Sequence, residues 1–139
     1  MCLERVDSKS EKQCNIEKIR ADKDEYITLW KLFRVDEKGY LIAQYKKYQF
    51  YEGKNTARSQ YITDLDGNRE RNRWQYTPGF HLFTNKEDAE YWRDHCNSQR
   101  QHGTESVIYP VKVKKEWITD MGIQADKKVV VSKHIVIEE

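Results

Sequence analysis

His81 and the arginines between residues 58 and 73 are the side chains best suited by type and spacing to do chemistry. His81 stands between the turn Thr77-Pro78-Gly79 and a predicted helix start at Thr84-Asn85-Lys86-Glu87. An imidazole there, beside the Thr84 hydroxyl and the free amides of a helix N-terminus, can hold a phosphate or move a proton. The plainer reading is a structural histidine bonded to a backbone carbonyl beneath the helix. Arg69, Arg71 and Arg73 alternate, so on an extended segment they share one face. Lys54 and Arg58 lie upstream, and Tyr61, Trp74 and Tyr76 are interleaved. Guanidinium groups suit phosphate and aromatic planes suit stacked bases. Asp64, Asp66 and Glu70 in the same stretch fit equally a solvated hairpin with mixed charges. Tyr40, Tyr45, Tyr48 and Tyr51, with Lys46 and Lys47, suit either a contact surface or cross-strand aromatic packing.

Other chemistries find no support in the residues. The cysteines are Cys2, Cys14 and Cys96, few and irregularly spaced, with no CxxC pair. His81, His95, Cys96 and His102 match no metal-ligand spacing, so no metal site is expected. A phosphate-binding P-loop and a dinucleotide fingerprint are both absent, and no cofactor is expected. Lysine and arginine number 25 against 23 aspartates and glutamates, a net charge of +2. That near-neutral balance makes no general case for duplex nucleic acid. No apolar run reaches the roughly 18 residues of a membrane helix, and Met1–Lys12 holds no apolar signal segment, so a cytoplasmic protein is expected.

Those candidate groups need a scaffold. The 139 residues are enough for one modest core, and nine Tyr, four Trp and four Phe compensate for few aliphatics. Residues 1–24 are polar and predict an arm or a short helix, and 25–139 one domain. Tyr26–Val35 is β-branched and aromatic, with Ile27, Leu29, Phe33 and Val35 on one face, broken by Lys31. Asp36–Gly39 reads as a turn into a return strand over Tyr40–Tyr51, together a long hairpin. Residues 52–76 are either a second hairpin about Asp66-Gly67 or a long loop. Phe80–Phe83 reads as a strand. Thr84 and Glu87 form a capping box for a helix to about Asn97, with Ala89, Trp92 and Cys96 on its apolar stripe. Ser106–Val113 is a strand that Pro110 places at an edge or bulge. Lys114–Gly122 is a helical turn or an irregular link, and Lys127–Ile137 is the last strand. One principal helix against a mainly antiparallel twisted sheet makes the expected class α+β.

The segment Pro78-Gly-Phe-His-Leu-Phe-Thr-Asn-Lys-Glu-Asp-Ala-Glu-Tyr-Trp92 resembles small bacterial and phage proteins carrying G-F/I-H-x-F-x-[ST]-x-E-x-A, followed by two valine-rich strands. In this chain the threonine, Thr84, falls one position earlier. The resemblance implies the fold and carries no assigned chemistry. Arg34 at a strand end, with Gly79 to Trp92 after it, is also similar to the strand-to-helix step of mono-ADP-ribosyltransferases. That resemblance implies Arg34 on a dinucleotide phosphate, His81 orienting a ribose, and a later glutamate, for which the chain offers Glu138 and Glu139.

The expected function is a small accessory binding protein, of the kind a phage or mobile element encodes. It would recognise a phosphorylated, nucleotide-like ligand through His81, Thr84, Arg34, Arg69, Arg71, Arg73, Trp74 and Tyr76, or else a host protein. An ADP-ribosyltransferase-like enzyme and a purely protein-binding module, with homo-oligomers allowed, are the alternatives.

Overall fold

A computed structural model describes residues 3, 5–43, 49–57, 79–99 and 105–138. The fold is α+β. Among the described residues nine strands form one open antiparallel sheet, with a short N-terminal helix and a longer helix packed on the sheet. The strands are β1 (Arg5–Val6), β2 (Tyr26–Val35), β3 (Leu41–Ile42), β4 (Gly53–Thr56), β5 (Phe80–Phe83), β6 (Ser106–Lys114), β7 (Ile118–Gln124), β8 (Lys127–Ser132) and β9 (His134–Ile137). The helices are α1 (Lys9–Lys18) and α2 (Lys86–Gln99), and a 3-10 turn covers Lys115–Trp117. Sheet order is β1-β7-β8-β5-β2-β6-β9-β4, with β3 paired to the end of β2.

The order forces the sheet to curl. β8 and β9 are separated in sequence only by Lys133, so Ser132 and His134 lie at most about 8 Å apart. Along the sheet they are four strand spacings apart, about 19 Å if the sheet were flat. The two flanks therefore bend toward each other and meet at Lys133. Its amide donates to the Trp117 carbonyl (3.1 Å), and its own carbonyl accepts from the Ala57 amide (2.8 Å). An irregularity in the β7–β8 register between Ile118 and Asp120 falls beside this corner, where bulges sharpen strand bending.

Curling gives the sheet an inner and an outer face. Ile27, Leu29 and Phe33 of β2 point inward with Phe80, Leu82, Val111, Val113, Met121, Val130, Ile135 and Ile137. Ile16 of α1 and Phe50 complete that core. Each such side chain removed from water contributes roughly 1.5–3 kcal/mol. Trp30 and Leu32, one residue out of phase, face outward and pack with Phe83, Val129, Val131 and Leu3 beneath Ala89, Trp92 and Cys96 of α2. The apolar stripe read from the helix spacing is thus the stripe that meets the sheet.

Several local expectations change. The main partner of β2 is β6, in register from Tyr26 opposite Lys114 to Arg34 opposite Ser106. Among the described residues the predicted hairpin survives where Arg34 and Val35 pair with Ile42 and Leu41, residues 44–48 of its return strand lying outside them. A long strand gains more from a partner that carries its own inward valines than from the polar return segment. Gly53–Thr56 is a strand on β9, and the hairpin or loop about Asp66-Gly67 lies outside the described residues. The Lys114–Gly122 segment holds the 3-10 turn Lys115–Trp117 and then enters β7, which runs on to Gln124, and Lys127–Ile137 is two strands bent at Lys133. Pro110 faces Trp30 of β2 and is exposed. The other neighbour, β9, pairs β6 at Lys112, past the proline, so Pro110 keeps a locally free edge as its missing amide requires. The cap of α2 is Asn85, not Thr84. The Asn85 Oδ1 accepts the Asp88 amide (2.9 Å), and its Nδ2 donates to the Asp88 carboxylate (3.0 Å). Asparagine caps at least as well as threonine, and the one-residue shift leaves Glu87 exposed.

The N-terminal segment is built into the sheet. Leu3 is fully buried, and β1 pairs with β7 at Arg5–Ile123 and Val6–Gly122. Gly122 permits this, because a Cβ there would run into the Arg5 carbonyl oxygen. Ser8 and Glu11 form a reciprocal capping box that starts α1.

Candidate functional site

Of the residues singled out by sequence, His81, Thr84 and Arg34 are described, whereas Arg69, Arg71, Arg73, Trp74 and Tyr76 lie outside the described residues. So do Arg58, Tyr61, Tyr45, Tyr48, Lys46, Lys47, His102 and Glu139. His81 pairs with Val131 in the β5–β8 ladder and is half-buried. By alternation it shares the outer face with Phe83 and Val131, on the side covered by α2. Arg34 shares that face with Trp30 and Leu32, and its Nε donates to the Ala43 carbonyl (3.2 Å). The two are therefore on the same side of the sheet. Thr84 precedes the Asn85 cap. The first turn of α2 carries Glu87 and Asp88, and Asp88 reaches Lys127 at 3.7 Å. This N-terminus already holds its own carboxylate, which uses the dipole that an incoming phosphate would need. Glu138 follows β9, and its charge acts on Lys112 of β6.

Two other groups of residues stand out in the structure. The first is inside. Lys31 follows the inward alternation of Leu29 and Phe33, and only 9% of it is exposed. Its Nζ sits 5.6 Å from the ring centroids of Phe33, Phe50 and Phe80 alike. Phe33 and Phe50 meet edge to face at 4.9 Å, and Phe50 meets Phe80 at 5.5 Å. Burial pushes the Lys31 amine down from 10.5 to about 8. Water removal disfavours the charged form, and the ring faces recover part of that penalty.

The second group lies where α2 does not reach. Beyond Trp30 and Leu32 the outer face continues over the start of β2, the end of β6, β9 and β4. Lys54, Val136, Lys112 and Thr28 form one row straight across four strands. Beside it, Thr56 pairs with His134, and Lys114 pairs with Tyr26. Trp117, carried in by the 3-10 turn, stands at the rim of this surface. It meets His134 edge-on at 5.3 Å and Tyr26 at 6.0 Å. Two cations lie over its ring, Lys54 Nζ at 5.1 Å and Lys114 Nζ at 5.9 Å, and Lys114 also covers Tyr26 at 5.4 Å.

The local field at this rim is positive. The His134 pKa is lowered, first by burial and then by Lys54 and Lys133. Its Nδ1 is 2.8 Å from the Thr56 hydroxyl. Lys112 is the neutralised member, bonded to Asp22 at 2.9 Å, which raises the lysine pKa and lowers that of the aspartate. Lys54 and Lys133 are exposed. Charge on flexible stems around aromatic planes can hold a phosphate-bearing aromatic ligand.

This surface was partly visible beforehand. Lys54 stands in sequence just before the arginine cluster, and no local pattern singles out His134. Trp117 fell in a segment read as a link, and nothing local pairs it with residues 54 and 134. Lys31 read as a break in an apolar face, although its position in phase with Leu29 and Phe33 already pointed inward.

Among the described residues no group of three histidine, cysteine or acidic side chains is placed to hold a metal ion. No helix there is long and apolar enough to cross a membrane. Comparisons with family models, with curated proteins and with solved structures find no match.

Proposed function

We propose that this protein is a small binding module for a phosphorylated, nucleotide-like ligand, received on the outer sheet face around Trp117. The observation that carries the reading is the pair of lysines, Lys54 and Lys114, set over the Trp117 ring beside Tyr26 and His134. In that arrangement the lysines meet phosphate charge and the aromatic planes meet a base. α2 leaves this half of the face open, and Thr28, Lys54, Thr56 and Lys133 on and around it are exposed.

A thermal-shift and calorimetric screen with nucleoside mono-, di- and triphosphates tests this. Binding stabilises the folded state by RT ln(1 + [L]/Kd), roughly 2.7 kcal/mol at a hundredfold excess over Kd. The expected result is stabilisation by nucleotides and loss of that response in Trp117→Ala. Equal stabilisation of wild type and variant, or none of either, refutes the reading.

A further inference from the structure

Resting on that reading, we propose that the ligand of the Trp117 face is single-stranded nucleic acid, bound as an extended chain across β6, β9 and β4. The cations come from separate elements, although Lys54 and Lys114 both reach the Trp117 ring. Lys54 belongs to β4, Lys114 ends β6, and Lys133 is the corner between β8 and β9. Lys54 and Lys112 lie two strand spacings apart on one row, about 10 Å. A site for one phosphate gathers donors on a point, commonly backbone amides at a helix N-terminus. Among the described residues both helix N-termini are closed by their own caps, Ser8 and Asn85. What the face offers is separate point charges on mobile stems, which follow a charged backbone without fixing one oxyanion geometry. Between them stand the Trp117 and Tyr26 rings, and sequence-tolerant stacking of successive bases on aromatic side chains is how proteins hold single strands.

Charge complementarity favours this occupant. Of the cations on and around this face, only Lys112 has a carboxylate within ion-pair distance, Asp22, among the described residues. Lys54, Lys114 and Lys133 remain for phosphates, and Lys54 and Lys133 add to burial in lowering the His134 pKa. An open face with partly exposed aromatic planes fits a single strand better than a duplex, whose bases are already stacked on one another. Ribose and deoxyribose strands share this chemistry.

The test is fluorescence anisotropy with labelled oligo(dT) and oligo(rU) of about 15 nucleotides, a length within the range that single-strand folds cover. Mononucleotides are measured in parallel by competition. The three lysines predict a slope of log K against log salt near −2, from about −0.7 per phosphate contacted. Affinity then falls about 20-fold between 50 and 200 mM salt. Lys54→Glu/Lys114→Glu is expected to abolish oligomer binding, with folding checked by circular dichroism. Lys38→Glu, on the exposed turn after β2, is expected to bind as wild type. If mononucleotides bind but oligomers bind no tighter, the strand proposal falls and the nucleotide reading stands. If neither binds, both fall. Oligomer binding that survives Lys54→Glu/Lys114→Glu overturns this face as the site. Preference between oligo(dT) and oligo(rU) decides which polymer is the ligand.

Discussion

Replacing Lys31 with methionine is expected to stabilise the protein at neutral pH, and to do so less as pH rises. The amine is buried among Phe33, Phe50 and Phe80, and its pKa falls from 10.5 to about 8. Each pKa unit corresponds to about 1.4 kcal/mol, so holding the buried charge costs about 3 kcal/mol where both states are protonated. The sign follows from proton counts. Between about 8 and 10.5 the unfolded chain binds a proton that the folded chain has released, so folding becomes more favourable as pH rises through that window. Below about 8 the cost is complete, and above 10.5 it vanishes. Evaluated at pH 9.5 the same linkage leaves about 1.5 kcal/mol. Methionine matches the lysine stem and fills irregular space, but it gives up attraction to three rings, each worth up to about 1 kcal/mol or more when desolvated. The net gain at pH 7 is then about 1–3 kcal/mol, and raising the pH to 9.5 lowers it by about 2 kcal/mol. Urea unfolding followed by circular dichroism at pH 7.0, 8.5 and 9.5 measures the gap directly. Because wild type and variant share every other titrating group, their difference isolates Lys31. Lys31→Arg is the control: it cannot deprotonate, so its deficit against Lys31→Met stays constant with pH. A gap between wild type and Lys31→Met that does not narrow on raising pH refutes the reasoning.

Other outcomes follow from single contacts. Asn85→Ala is expected to cost about 1 kcal/mol in thermal unfolding, while Thr84→Ala stays near zero, because Asn85 caps α2; equal effects refute that assignment. Gly122→Ala pushes β1 from β7 through the Arg5 carbonyl. It is expected to expose Leu3 and to cost about 2 kcal/mol of its burial, seen as faster hydrogen exchange at Val6 and proteolysis after Arg5. The β7–β8 turn places Ala125 and Asp126 at φ 49° and 61°, so Ala125→Asn with Asp126→Gly is expected to raise stability by about 1 kcal/mol. A bound polyanion cancels the field of Lys54 and Lys133 and so raises the His134 pKa, visible by NMR titration of its ring protons with and without oligonucleotide.

Much of this fold is legible in periodicity. The Phe80–Phe83 strand, the Ala89–Trp92–Cys96 stripe and the inward Val107, Val111 and Val113 each carry a local pattern strong enough to name their element and face, whereas Lys127–Ile137 does not: the chain bends at Lys133, so Val129 and Val131 face outward and Ile135 and Ile137 inward. What periodicity does not carry is pairing. Tyr26–Val35 fits the return segment at Leu41–Ile42 and the strand at Ser106–Lys114 equally well by alternation. Only the whole curled sheet selects the second. The segment Ile118–Gln124 does not read as a strand because Asp120 and Gly122 dilute its apolar signal, and each is there for a tertiary reason. Asp120 follows the register irregularity, and Gly122 admits β1. The candidate face was hidden for the same cause. Residues 26, 54, 114, 117 and 134 come together only because β4 lies on β9 and the corner at Lys133 draws the two flanks into contact.

The protein uses one contact twice with opposite consequences. Lys31 over Phe33, Phe50 and Phe80 and Lys54 over Trp117 have nearly the same geometry, 5.6 and 5.1 Å. The ring quadrupole attracts both ammonium groups similarly. What differs is water. Lys31 has lost nearly all of it, so desolvation dominates and the amine gives up its proton near pH 8. Lys54 is exposed, so it pays little for its charge and the ring merely orients it. Exposure, not the aromatic neighbour, thus decides which lysines stay charged for a ligand. On that ground the binding surface belongs to the open outer face around Trp117, and Lys31 belongs to the energetics of the core.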